Sequence, residues 1–474
     1  MIQYFFSFYP EKQIIDIEIR LASSNESRRK LHLPMWRPGR YQLQNFAKNV
    51  LNFSAKDDEN NAISWRKTEK NVWSIYETTN KNLIIKYQYY ANELNAGTSF
   101  LQKSYAYINP VNLCLYELEH INQSFEVFIK KTNDHVIFAS GLKTESIGNN
   151  FKIKPKNYHH FFDSPIIISN NIFHKEFEVL KTKFHVWIQG NYQIDSDRFI
   201  QDLEKIAETQ IQIFGEFPEK DFHFMLIVPE NSYYHGVEHA NSTMMVLGEN
   251  GVLPQTYYND LLGLASHELF HAWNIAKIRP KELLPYNYDK ENYFETCFVA
   301  EGFTTYYGDK VLLSSGVLSY DQYLHELETT LRRHFEESDN ASQSLLESSF
   351  DLWVDGYEKG TPNKKVSVYS KGAVVSLILD IKIRKKFREA KSLNEVMLAL
   401  WNKFGDQRIG YSYQDIIDIC ESVYEAPLKD YFSQCIESNS SLFDYTNEHL
   451  EFLNLKMIKT GNICSLTETN VSKN

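Results

Sequence analysis

Ser266-His267-Glu268-Leu269-Phe270-His271-Ala272-Trp273-Asn274 carries the pattern HExxH on a stretch with helical character. Residues four apart share one face of a helix, so the His267 and His271 imidazoles can grip a single ion. Glu268 follows the first of them and projects beside that ion, where it can take a proton from water. The preceding run Leu261-Leu262-Gly263-Leu264-Ala265 is apolar and helix-compatible, and Pro280 is a stop signal downstream. A helix from about Tyr258 to Ile278 is predicted, with the motif in its interior.

Zinc in hydrolases usually takes three protein ligands and keeps a fourth position open. Glu291, Glu295 and Glu301 are the candidates for the third. Glu301 is favoured because Val299-Ala300-Glu301-Gly302-Phe303-Thr304-Thr305-Tyr306-Tyr307 opens another amphipathic helix facing the first, and Glu295 is the runner-up. A carboxylate in an apolar helix is costly without a cation to offset it. The expected cofactor is one zinc ion, although imidazole and carboxylate also accept cobalt or manganese.

Two other segments gain meaning beside a metal. Val366-Ser367-Val368-Tyr369-Ser370-Lys371-Gly372-Ala373 precedes an apolar helical run. Alone, Tyr369 reads as a packing residue; near a metal, its phenol can donate to the oxyanion formed when water attacks a carbonyl. Tyr234-His235-Gly236-Val237-Glu238-His239-Ala240-Asn241 follows the strand-like Phe224-Met225-Leu226-Ile227-Val228. Glu238 there is either a solvated turn residue or a carboxylate that binds a cation such as a peptide's free amino group. His235 and His239 read as structural rather than as ligands.

Working outward, 474 residues can form two to four domains with substantial cores. A 43% hydrophobic and 23% charged composition fits a soluble globular protein. The net charge of −11 argues against general nucleic-acid binding. Five scattered cysteines argue against a disulfide framework. The amino terminus does not read as a signal peptide and no apolar run approaches membrane-spanning length, so no membrane association and a cytoplasmic location are expected.

The first third reads as β structure. Ile15, Ile17, Ile19 and Leu21 alternate with Asp16, Glu18 and Arg20, and Ile85, Tyr87 and Tyr89 alternate with Lys86 and Gln88. Phe125 to Ile129 is another such segment. Phe184 to Ile188 and Phe222 to Val228 read as strands flanking a helix that carries Phe199, Leu203 and Ile206 and ends near Gly215. From about Ser319 the chain reads as mostly helical, with capping boxes at Ser319-Tyr320-Asp321-Gln322 and Ser392-Leu393-Asn394-Glu395. Leu324, Leu327, Leu331 and Phe335 form a packing stripe, and the Ser, Thr and Asn-rich tail from Thr460 is expected to fray. The expected fold class is multidomain α+β. Residues 1–165 would form an amino-terminal antiparallel β domain, 166–318 a thermolysin-like catalytic domain and 319–474 a helical domain.

Together the segments around His267, Glu301, Tyr369 and Glu238 resemble the glycyl aminopeptidase family of zinc metallopeptidases, of the gluzincin clan and related to aminopeptidase N and leukotriene A4 hydrolase. The similarity extends to Leu33-Pro34-Met35-Trp36-Arg37-Pro38-Gly39-Arg40-Tyr41 and Tyr90-Ala91-Asn92-Glu93-Leu94. It implies that His267, His271 and Glu301 hold zinc, that Glu268 is the general base and that Tyr369 stabilises the tetrahedral intermediate. His235-Gly236-Val237-Glu238-His239 occupies the place of the motif whose glutamate anchors the substrate's amino terminus, which makes Gly236 and Glu238 substrate-binding. His235 stands where the family more often has glycine. Many members also carry a carboxy-terminal PDZ module, for which too few residues follow the last helical segment here.

The resulting expectation is a zinc aminopeptidase acting on peptides with a free amino terminus, with small first residues such as Gly or Ala implied by the resemblance. The alternatives are a zinc endopeptidase or other zinc hydrolase, or a non-catalytic peptide-binding protein on a peptidase fold.

Overall fold

The structure is a computed structural model that describes residues 2–133, 136–248, 253–358, 360–405 and 408–469. In the amino-terminal region the alternating segments pair as their patterns require. Ile14–Leu21 lies antiparallel to Leu83–Tyr90, with Ile17 opposite Tyr87 and Ile19 opposite Ile85 on the buried face. These strands are the fifth and sixth of a seven-stranded sheet, and the region also contains a three-stranded and a four-stranded sheet. The region is not wholly antiparallel: Gln3–Tyr9 runs parallel to Glu126–Lys130, with Tyr4 opposite Val127. The long stretch between them supplies the crossover that a parallel pair needs.

The middle region contains a five-stranded sheet in the order Ile172–Val179, Thr182–Gly190, Asp221–Val228, Ser242–Gly248, Tyr233–Glu238. The helix Ser196–Phe214 crosses between the two parallel strands Thr182–Gly190 and Asp221–Val228, and it ends at Gly215 with φ 86°. Phe184, Val186 and Ile188 face the helices, where one apolar core collects Phe199, Leu203, Leu261 and Leu269. Met225, Ile227, Val237 and Met244 face the other way and pack with Tyr107 and Ile167 of the four-stranded sheet, whose strand Ile166–Ser169 carries the amino-terminal region past residue 165. The antiparallel strand Tyr233–Glu238 is the edge of the sheet, beside the helix that carries His267.

Both expected capping boxes close, at Ser319 before helix Tyr320–Phe335 and at Ser392 before helix Leu393–Leu400. The core does not break near residue 318: Leu312, Leu318, Tyr323, Leu327 and Ala373 belong to one cluster. The tail departs from the fraying expectation. Leu455–Thr460 and Ile463–Glu468 form a hairpin whose Leu455, Met457 and Cys464 are buried. Its Cys464 amide donates to Glu336, at the end of helix Tyr320–Phe335, and its Leu466 amide to Glu328 within that helix. Apolar residues at alternate positions, too few to stand out in a polar tail, anchor it.

Asp380, in the middle of helix Ser370–Phe387, pins three helices around the site. It accepts from the Tyr306 hydroxyl at 2.7 Å, Lys310 Nζ at 3.1 Å and the Leu393 amide at 2.8 Å. Burial works against its charge, but Lys310 and these hydrogen bonds outweigh it and hold the carboxyl below its ordinary range. Its contribution is therefore complete at neutral pH and is lost as pH falls through that lowered value. Asp380→Leu is expected to cost about 3–5 kcal/mol, because it strands Lys310 and the buried donors. Urea unfolding of the two chains at pH 7 checks this.

Candidate metal centre

The helix bearing the histidines is Pro254–Phe270, with proline at its first position. It begins before the expected Tyr258 and stops before the expected Ile278, so His271 stands at its carboxy-terminal cap rather than in its interior. The cause is Asn274. Its side-chain amide donates to the Val299 and Ala300 carbonyls and to the Thr304 hydroxyl, and the next residue, Ile275, turns out of the helix with φ 99°. The same contacts tie the end of this helix to the segment that holds Glu301.

Glu301 lies in a π-helical turn, Phe298–Phe303, which runs into helix Thr304–Ser314. The wider turn re-aims one side chain relative to an α-helix, a device common at functional sites. His267 Nε2 and His271 Nε2 are 3.1 Å apart, and Glu301 Oε2 lies 3.8 Å and 3.5 Å from them. Glu295 is exposed and stands outside this triangle.

Two imidazoles and a carboxylate form the donor set that zinc favours. His271 Nδ1 lies 2.8 Å from the Asn274 carbonyl, which orients the ring and leaves Nε2 to face the other ligands. Electrostatics agree. Burial opposes a charge on His271, yet Glu301, Glu238 and Glu268 push its pKa up to about 10. Burial likewise opposes the Glu301 charge, but His271 and His267 pull that carboxyl down to about 2. Three carboxylates converge on this buried spot and demand positive charge, which a divalent cation supplies in place of a proton. The residues present therefore fit a zinc ion.

Glu268 is 5% exposed, and its Oε2 is buried without a hydrogen-bond partner. Burial pushes its pKa up to about 8, with Glu238 and Glu301 adding to the rise. Gly236, on the edge strand, packs against it; a Cβ there would collide with Glu268 Oε1. Glu238 ends the same strand and is 8% exposed, its carboxyl raised by burial. Among the described residues no Lys or Arg pairs with it.

Tyr369 caps the start of helix Ser370–Phe387. That helix crosses the Glu301 turn closely enough that a Cβ on Gly372 would lie 2.6 Å from the Gly302 Cα. Only two glycines permit this approach, and it is what brings Tyr369 to Glu301. Burial, then Glu301, raises the phenol's pKa well above its ordinary value, so it stays a donor.

His267, Glu268, His271, Glu301, Tyr369, Glu238 and Gly236 thus line a single cleft of about 620 Å³. His235 also lines this cleft, its Nδ1 accepting from the Ala96 amide at 3.2 Å, whereas His239 serves the scaffold, its Nδ1 2.9 Å from Asp163. One functional residue escaped sequence reasoning. Tyr41 donates its hydroxyl to Glu301 Oε1 at 3.3 Å, and its own amide donates to the Tyr357 hydroxyl. It sits in the Leu33–Tyr41 segment, whose similarity was visible without indicating a role.

Comparison with known proteins accords with this geometry. The M61 glycyl aminopeptidase model matches residues 260–375, and the peptidase M61 N-terminal domain model matches 3–170. An aminopeptidase N family protein from Idiomarina loihiensis superposes with a TM-score of 0.89 at 28% identity, over 97% of this chain and 79% of that one. An M1 zinc metallopeptidase from Deinococcus radiodurans superposes with a TM-score of 0.56 at 12% identity, over 93% and 94% of the two chains, which is a likeness of fold. No curated protein matches the sequence. With both domain models in place around a cleft that holds two histidines, their glutamate and its partner acid, the chain belongs to the M61 glycyl aminopeptidase family and is a metallopeptidase.

Proposed function

We propose that the protein is a zinc aminopeptidase that removes single residues, small ones such as Gly or Ala, from peptides with a free amino terminus. His267 Nε2, His271 Nε2 and Glu301 Oε2 would hold one catalytic zinc ion. That ion supplies a Lewis acid that polarises a carbonyl and makes water a nucleophile near neutral pH. Glu268 takes the proton of the attacking water at its unpartnered Oε2 and returns it to the departing amine. The Tyr369 phenol donates to the oxyanion of the tetrahedral intermediate. Glu238 pairs with the substrate's ammonium group and so sets the cut one residue from the end.

The observation that carries this reading is the Glu238 carboxylate, buried at the end of the edge strand in the same cleft and, among the described residues, in no salt bridge with a Lys or Arg. Truncating one partner of a buried charge pair costs about 2–5 kcal/mol. Glu238→Ala is therefore expected to lower kcat/KM on peptides with free amino termini by about a hundredfold. An unchanged value would favour an endopeptidase.

A net charge of −11 supports peptide rather than nucleic-acid partners. Among the described residues no helix is long and apolar enough to cross a membrane. All five cysteines are free and buried, which supports a reducing, cytoplasmic setting.

A further inference from the structure

At the far edge of the catalytic sheet a second group of metal-ligating side chains converges. His174 and Glu176 project from the same face of strand Ile172–Val179, and His185 stands directly across from Glu176 on Thr182–Gly190. His174 Nε2 and His185 Nδ1 are 3.1 Å apart, and Glu176 Oε1 lies 3.8 Å and 3.2 Å from them. The edges of the catalytic triangle are 3.1, 3.8 and 3.5 Å. Tetrahedral ligands about 2.0–2.1 Å from zinc stand about 3.4 Å from one another, so both triangles have the size an ion requires.

We propose that His174, Glu176 and His185 form a second zinc-class metal site that clamps the edge strand of the catalytic sheet. The rings are already set. His174 lies flat on Trp187, 3.5 Å between centroids and 7° between planes. His185 stacks on His223 at 4.3 Å and 6°. His223 in turn accepts from Trp187 Nε1 at 3.1 Å, which closes the stack. The two oxygens of Glu176 divide their work: Oε2 pairs with Lys183 at 3.1 Å, and Oε1 faces both imidazoles. Glu176 is 43% and His174 30% exposed, so an ion can enter and solvent can complete its coordination.

The site is independent of catalysis. It lies on the sheet face opposite the helices, three to four strand spacings from Tyr233–Glu238, or about 14–19 Å. Its strand is also the first of the catalytic sheet after the amino-terminal region, and Ile172 at its start packs with Tyr105 and Ile167 of that region. A clamp here holds the join between the two.

The test is elemental analysis of the zinc-loaded holoprotein after dialysis against micromolar zinc. The native chain is expected to retain about two zinc ions, and the double variant His174→Asn, His185→Asn about one, with kcat unchanged. Glu176→Gln, a milder change at an exposed position, is expected to lose the same ion. Zinc should raise the thermal midpoint of the native holoprotein and leave that of the double variant unmoved. A native ion count that neither the double variant nor Glu176→Gln lowers overturns the site. A Glu268→Gln chain should keep both ions, so failure of the catalytic reading leaves this one standing.

Discussion

Glu268→Gln is expected to keep its catalytic metal and lose peptide cleavage by about 10²–10⁴-fold or more, the range set by general acid–base catalysis. Glu268 is no part of the triangle formed by His267, His271 and Glu301, so its replacement leaves all three donor atoms in place. Glutamine has the same shape and fits the space opposite Gly236. Its amide cannot take a proton from water or return one to the leaving amine. Metal content by elemental analysis and kcat on amino-acyl chromogenic substrates, read on one preparation, decide the matter. Retained turnover would remove Glu268 as the base.

Tyr369→Phe should lower kcat by about 10²–10³-fold while KM stays near its native value, the loss typical of one oxyanion donor. The phenol faces the cleft beside Glu301, and burial with that carboxylate keeps it protonated at neutral pH. Phenylalanine preserves the ring's packing at the start of helix Ser370–Phe387 and removes only the donor. An interaction made in the transition state alone lowers kcat and kcat/KM together. A rise in KM with unchanged kcat would instead make Tyr369 a substrate-packing residue.

Much of this centre is legible in the sequence. Local periodicity decides which side chains share a face, so His267 and His271 follow from helical spacing alone. Ile15 to Leu21 and Ile85 to Tyr89 likewise declare their buried face by alternation, and Ser319 and Ser392 declare helix starts. These signals act over a few residues, where chain geometry leaves little choice.

Other features depended on partners distant in the chain. The helix could not be seen to end at Phe270, because the stop comes from Asn274 bonding to residues 299–304. Tyr41 reaches Glu301 across 260 positions, and no spacing rule connects them. The terminal hairpin reads as polar until helix Tyr320–Phe335 receives it.

By itself, then, the sequence determined the paired imidazoles, the carboxylate beside them and the strand and helix faces, since all of these follow from short-range backbone geometry. Only the tertiary structure decided how Glu301, Tyr369, Glu238 and Tyr41 meet around them, and that His174 and His185 stand together. Those meetings depend on strand register, on a π-helical turn and on two glycines letting helices touch, and each is set by packing between segments far apart in the chain.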